Sequence, residues 1–288
     1  MLCADDFAIS PRVSEAIIDL LSQRRLSAAS CMTASRHWPN VAPGLRAFAG
    51  VADIGLHLTL TDARPLGEMP SLARDGRLPP LARLLPAALA GRLDRAEIIG
   101  EIRRQLDAFA AETGCMPDFV DGHQHVHLLP VIRDEVLALF AGPLAVGRSY
   151  LRICWEPPRR ILARRVAMAK TAFISALSLP LRREAARRGI SCNDSFRGVY
   201  DFTDPESYPS VFPRFLRGAG QRPIIMCHPG LADAELADAD AVTVEREQEH
   251  AYFASDRFLA DLAAANCRLA RFLAMDADGP RSPSRGWP

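Results

Sequence analysis

Four short apolar runs in this chain end alike, in side chains able to hold a metal or a proton: Cys3-Ala4-Asp5-Asp6, Ile54-Gly55-Leu56-His57, Val120-Asp121-Gly122-His123-Gln124-His125 and Met226-Cys227-His228. Runs of this length and composition read as buried strands. Amphipathic segments lie between them. Ser10-Pro11, followed by Val13, Ala16, Ile17, Leu20 and Leu21, predicts a capped helix with proline in its first turn. Ala96 to Thr113 carries Ile98, Ile99, Ile102, Leu106 and Phe109 at helical spacing and stops at Gly114. Strand then helix, repeated, predicts parallel strands with crossover helices, and in such architectures the strands' C-terminal ends share one face. Residues far apart in the chain are thereby expected to meet in one site.

A chain of 288 residues, 49% hydrophobic, can bury a full core, and barrel folds of this size commonly stay undivided. The expected arrangement is one domain over 1–275 with a helical, arginine-rich insertion at about 152–190, followed by a disordered tail, 276–288, rich in Pro, Ser and Gly. Residues 61–95, rich in Pro, Gly and Arg around Leu81 to Leu85, form a long connection of the kind that caps a site. In the insertion Arg159, Arg160, Arg164, Arg165, Lys170, Arg182, Arg183, Arg187 and Arg188 surround an apolar centre, Thr171 to Leu181, expected to break at Pro180. A core-packed helix with solvated arginines is the plainer reading. The alternative is a segment, 159–188, that lies on a bilayer surface as a peripheral contact with the inner membrane.

Charge excludes one class of partner. The 35 basic residues, all arginine but Lys170, are balanced by 34 acidic ones, which leaves no nucleic-acid footprint. Seven dispersed cysteines with no Cys-x-x-Cys pair point to a reducing compartment. The first residues lack the basic and apolar regions of a signal peptide, and no apolar run reaches the roughly 18–20 residues of a membrane span. A cytoplasmic protein is expected.

The densest motif is Asp121-Gly-His-Gln-His-Val-His127. Read as a strand, it would send His123, His125 and His127 to one face by alternation. One carboxylate and two imidazoles leave a divalent metal with open positions, a catalytic rather than a structural arrangement. Of the adjacent Asp5 and Asp6, one can bind the metal while the other takes a proton from water. His57 or His228 alone would be ambiguous, although Pro229-Gly230 behind His228 marks a strand exit. Alternation turns Cys227 away from His228 and into the core.

In chain order, Ala4-Asp5-Asp6-Phe7, Gly55-Leu-His57-Leu-Thr-Leu60-Thr61, Asp121-Gly-His123-Gln-His125-Val-His127, Arg152 with Glu156, Phe196-Arg-Gly198 and Cys227-His228-Pro229 resemble the motifs of the YdjC-like carbohydrate deacetylases, the ChbG/HpnK family, across roughly residues 2–272. The resemblance implies a distorted (β/α) TIM-like barrel, one divalent metal ion (Mg2+ or Zn2+), and removal of the acetyl group from an N-acetylated amino sugar, oligosaccharide or glycolipid. It implies Asp6, His57 and His123 as metal ligands, Asp5 as catalytic base and His228 as proton donor. Asp121, His125, His127, Arg152 and Glu156 would then bind substrate or support the ligands. Where the family usually reads Asp-Asp-Phe-Gly this chain has Ala8, so a residue with a Cβ must make the turn. The rivals are metal-dependent hydrolysis of an O-acetyl ester or a phosphoester, and a non-catalytic carbohydrate-binding relative. A phosphoesterase would favour two metals, and ligands for one are present; a non-catalytic relative would have lost a candidate residue, and none is missing. A homodimer is left open.

Overall fold

A computed structural model describes residues 1–145, 149–202 and 208–272, so the expected tail at 276–288 lies outside the described residues. Seven strands, β1 (Leu2–Phe7), β2 (Ala28–Cys31), β3 (Asp53–Leu58), β4 (Phe119–Gly122), β5 (Tyr150–Leu151), β6 (Ser195–Arg197) and β7 (Pro223–Cys227), form one parallel sheet in the order β5-β4-β3-β2-β1-β7-β6. The first four are buried along their whole length, as strands covered on both faces must be. The sheet curls into a half-barrel until its edges meet. Leu151 N donates to Ser191 O and Phe196 N to Trp155 O, both at 2.9 Å. This is the distorted barrel expected, closed by a few bonds rather than a full ladder.

The helices follow from local chemistry. Ser10 caps Pro11–Ser22 by accepting from Val13 N, with proline at the first turn, where its missing N–H costs nothing. Asp94 caps Arg95–Thr113 through Ala96 N and Glu97 N, and Gly114 ends it in the left-handed conformation at φ 76°. That helix also pins the long loop. Gln105 accepts from Thr59 N at 2.9 Å and donates to Thr59 O at 2.7 Å, while Glu101 accepts from Leu66 N at 2.9 Å. The loop thereby delivers the helix Leu81–Leu89 to the C-terminal face of the sheet.

Three expectations need correction. The histidine motif is not a strand: β4 ends at Gly122, and His123–Leu128 is a 3-10 turn in which Gln124 and His125 take φ of 51° and 61°. Alternation therefore does not apply: His123 Nδ1 lies beside Asp6, whereas His125 Nδ1 and His127 Nε2 both lie 3.7 Å from Cys154 Sγ. The stretch from Arg152 begins with an extended segment before the helices Pro158–Arg164 and Met168–Arg187. The second helix runs through Pro180 without breaking. Proline releases the carbonyl of Ala176, an exposed residue, where water can replace the lost bond. No helix among the described residues is long and apolar enough to cross a membrane.

Candidate active site

The site begins with two adjacent carboxylates that face different partners. Pairing of β1 with β2 shifts register between Ala4 and Phe7, and Asp6 adopts a left-handed φ of 65°, which aspartate tolerates better than most residues. Ala8 follows at φ 77°, so the chain does bend as a glycine would here. Asp5 receives a bidentate pair from Arg152 at 2.7 and 2.8 Å. Asp6 Oδ1 lies 2.8 Å from His123 Nδ1 and 3.2 Å from His57 Nε2, and Asp6 Oδ2 accepts from Arg246 at 2.6 Å.

Strand register supplies the rest. Parallel pairing sets His57 beside Asp121, and the Asp121 Oδ1 atom lies 2.6 Å from His57 Nδ1 while accepting from Ser30 Oγ at 2.5 Å. With its Nδ1–H donated to Asp121, His57 keeps Nε2 for the side where Asp6 lies. Ligand atoms of Asp6, His57 and His123 all fall within 4.8 Å of one another. One carboxylate and two imidazoles, with a carboxylate behind one ring, fit a divalent cation that keeps further positions free. Cys3, Asp5 and Asp121 converge equally closely, but Arg152 stands 2.7 Å from Asp5 and 2.8 Å from Asp121. Its guanidinium already fills that gap.

Charges in this buried space govern one another. Burial would push Asp6 up, but His123 and Arg246 override it and hold its carboxyl well below the usual carboxylate range. Burial would likewise push His57 down, and Asp121 with Asp5 reverses that, raising it to about 10. His228, directly after β7, is pushed down by burial to about 4, and no partner among the described residues meets its Nδ1. It is therefore neutral near pH 7.

A cavity of about 480 Å³ opens over these groups. Asp5, Asp6, His57, His123, His125 and His228 belong to its polar lining, together with Gln124, Lys170, Tyr200, Asp240 and Arg246. Its apolar lining includes Leu81 and Leu85 of Leu81–Leu89 and Phe173, Ile174 and Leu177 of Met168–Arg187. Gly198 lets the wall close, because at φ 99° a Cβ there would stand 1.9 Å from Met226 O.

The remaining candidates sit further out. His125 lines the cavity with Nδ1 3.7 Å from Cys154 Sγ, while His127 is buried behind it, its Nε2 3.1 Å from Arg152 O. Burial and the Arg152 charge push His127 down to about 3. Glu156 lies off the cavity, pairing Arg164 at 3.1 Å and Arg197 at 3.2 Å. Sequence reasoning missed Ser30, Arg246, Glu249 and Tyr200. A serine inside the apolar run Ala28–Cys31 was a usable signal, but Arg246 and Glu249 belong to a charged segment that reads as a solvated helix face.

The family described as YdjC-like protein matches residues 1–264. A chitooligosaccharide deacetylase of Yersinia pestis (strain Pestoides F) is 30% identical over 283 residues, covering 94% of this chain and 96% of that protein. A chitooligosaccharide deacetylase of Serratia marcescens is 34% identical over 174 residues, 59% of this chain and 65% of that one. Among solved structures, a protein of Enterococcus faecalis V583 with a suggested role in cellobiose-phosphate cleavage superimposes with a TM-score of 0.72 at 20% identity, covering 96% of this chain and 97% of its own. That likeness is one of fold.

Proposed function

The chain belongs to the YdjC-like family, and from that premise we propose that it is a metal-dependent hydrolase that removes the acetyl group from an N-acetylated amino sugar. The observation that carries the reading is the convergence of Asp6, His57 and His123 with Asp5 and His228 around one cavity. The chitooligosaccharide deacetylases among its relatives supply the reaction class. Asp6, His57 and His123 would hold a divalent ion, with imidazole donors suiting zinc better than magnesium, and the ion would polarise the amide carbonyl and lower the pKa of water. Arg152 takes two of the roughly four lone-pair positions of Asp5 and the Cys3 thiol a third, leaving one to receive the proton of the attacking water. His228 would deliver to the leaving amine the proton that Asp5 takes from the attacking water, so the water loses one proton and the amine gains it.

The cavity walls favour one substrate class within that reaction. The cavity offers polar groups that can partner sugar hydroxyls, Gln124, Lys170, Tyr200, Asp240 and Arg246 among them, beside an apolar wall of Leu81, Leu85, Phe173, Ile174 and Leu177. A sugar bearing an apolar group, a glycolipid, would use both, its hydroxyls on the polar groups and its apolar part on that wall. Exposed Leu162, Met168 and Phe173, beside exposed Arg159 and Arg165, favour a peripheral membrane contact through 159–188. The test is acetate release by metal-loaded protein, with and without chelator, from diacetylchitobiose and from lipid-linked N-acetylglucosamine in anionic vesicles. Chelator-sensitive release is expected, and silence on every substrate would end the deacetylase reading. Protein left in the supernatant of sedimented vesicles would end the membrane contact. Asp5→Asn is expected to lower turnover on the order of 10²–10⁴-fold while leaving metal affinity intact, since a general base contributes about that much.

A further inference from the structure

The helix Val244–Ala254 carries two buried charges of opposite sign, Arg246 and Glu249, three positions apart. An ion taken out of water costs several kcal/mol unless it is partnered, so each must be held by something. Arg246 is held by Asp6 and Asp240. Glu249 reaches the other side of the cavity. Its Oε2 accepts from the backbone N–H of His228 at 2.6 Å and its Oε1 accepts from the Tyr200 hydroxyl at 2.7 Å.

Both partners line the cavity, and Glu249 does not. His228 is the first residue beyond β7, where the sheet no longer fixes the backbone. Tyr200 follows the Gly198 turn after β6, the strand paired with β7, and its backbone oxygen accepts from Lys170 at the cavity rim. One carboxylate thus ties the two loops, which also meet through the Phe202 ring packed between Tyr200 and His228. Resting on the deacetylase reading of His228, we propose that Glu249 is a positioning residue, whose bonds to His228 and Tyr200 set the imidazole over the reacting amide without touching substrate or metal.

Glutamine offers a conservative rescue. Its amide oxygen can accept from His228 N–H while its NH2 donates to Tyr200, because a hydroxyl rotates to accept. Alanine removes both bonds. Misplacing a reacting group by about 1 Å costs on the order of 10²-fold in rate, so Glu249→Ala should lose about that much in kcat, with KM and zinc affinity near wild type. Glu249→Gln should stay within a few-fold of wild type. Unchanged kcat in the alanine variant, an equal loss in the glutamine variant, or lost zinc binding in the alanine variant would each overturn the proposal. Amide hydrogen exchange at His228, read by NMR on the metal-loaded proteins, tests the same bond without catalysis. At least tenfold faster exchange is expected in Glu249→Ala, and unchanged exchange would refute the proposal. Wild-type protein that releases no acetate would instead remove the deacetylase reading, leaving the exchange result to judge the bond.

Discussion

Glu249 keeps its proton longer than an ordinary glutamate. Burial pushes its carboxyl up from 4.5 to about 7, against the hydrogen bonds from His228 and Tyr200 that pull it down. A pKa raised by folding means that the native state holds a proton the unfolded chain has released. Below about pH 4.5 both states are protonated and the contribution is complete; it falls as pH rises and is gone above about 7. The difference in unfolding free energy between wild type and Glu249→Gln should therefore move against wild type by about 3 kcal/mol between those limits, since each pKa unit is worth about 1.4 kcal/mol. Urea melts at a series of pH values measure it, and a flat difference curve would contradict the buried, proton-holding carboxylate. Such a residue was hidden in the sequence because Glu245-Arg-Glu-Gln-Glu249 has the composition of a solvated helix. Asp5, Asp6, His57, His123 and His228 were legible because each stands at the end of an apolar run. The placing of His125 and His127 was not, because the left-handed turn at Gln124 and His125 leaves no trace in hydrophobic periodicity.

Elements long enough to show a period were readable, and the shortest ones were not. The helix Arg95–Thr113 announced itself through five spaced apolar residues and a glycine stop, but β5 has two residues and β6 three, too few to show alternation. The helix Met168–Arg187 lies between these cases. Its apolar and basic residues were visible, but which face met the cavity depended on the fold around it. Ile174 and Leu177, three apart, turn to the cavity together with Phe173. If that wall receives the apolar part of a glycolipid, Leu177→Asn removes contact from that part alone. Losing roughly half the burial of a leucine, about 1.4 kcal/mol, corresponds to a tenfold fall in kcat/KM. Lipid-linked N-acetylglucosamine should show that fall and diacetylchitobiose should not. An equal loss on both substrates would place Leu177 in the general architecture of the site rather than in recognition of a lipid.

The whole barrel depends on how its two edge strands meet, because Arg152 lies just beyond β5 while Asp5 stands at the end of β1. Full pairing between β5 and β6 is absent from the described residues, and a side chain takes its place. Asn193 Oδ1 accepts from Ile153 N at 2.7 Å, and Asn193 Nδ2 donates to Ile153 O at 2.8 Å and to Ser195 O at 2.9 Å. The asparagine amide thus presents to Ile153 the donor and acceptor that a neighbouring strand would. Cutting it back to alanine leaves the N–H and C=O of the buried Ile153 without those partners. An unsatisfied buried polar group costs about 1–3 kcal/mol, so Asn193→Ala should lose roughly 2–4 kcal/mol of stability. A local consequence follows from the next residue along: Arg152 loses the anchor that holds it against Asp5 and Asp121. In protein kept folded at low temperature, turnover should then fall while zinc affinity stays near wild type, because Asp6 and His57 stand on β1 and β3 and His123 in the turn after β4. Denaturant midpoints, zinc titration and acetate release on the same preparation separate these effects. Loss of stability with unchanged turnover would mean that barrel closure supports the fold without setting the catalytic geometry.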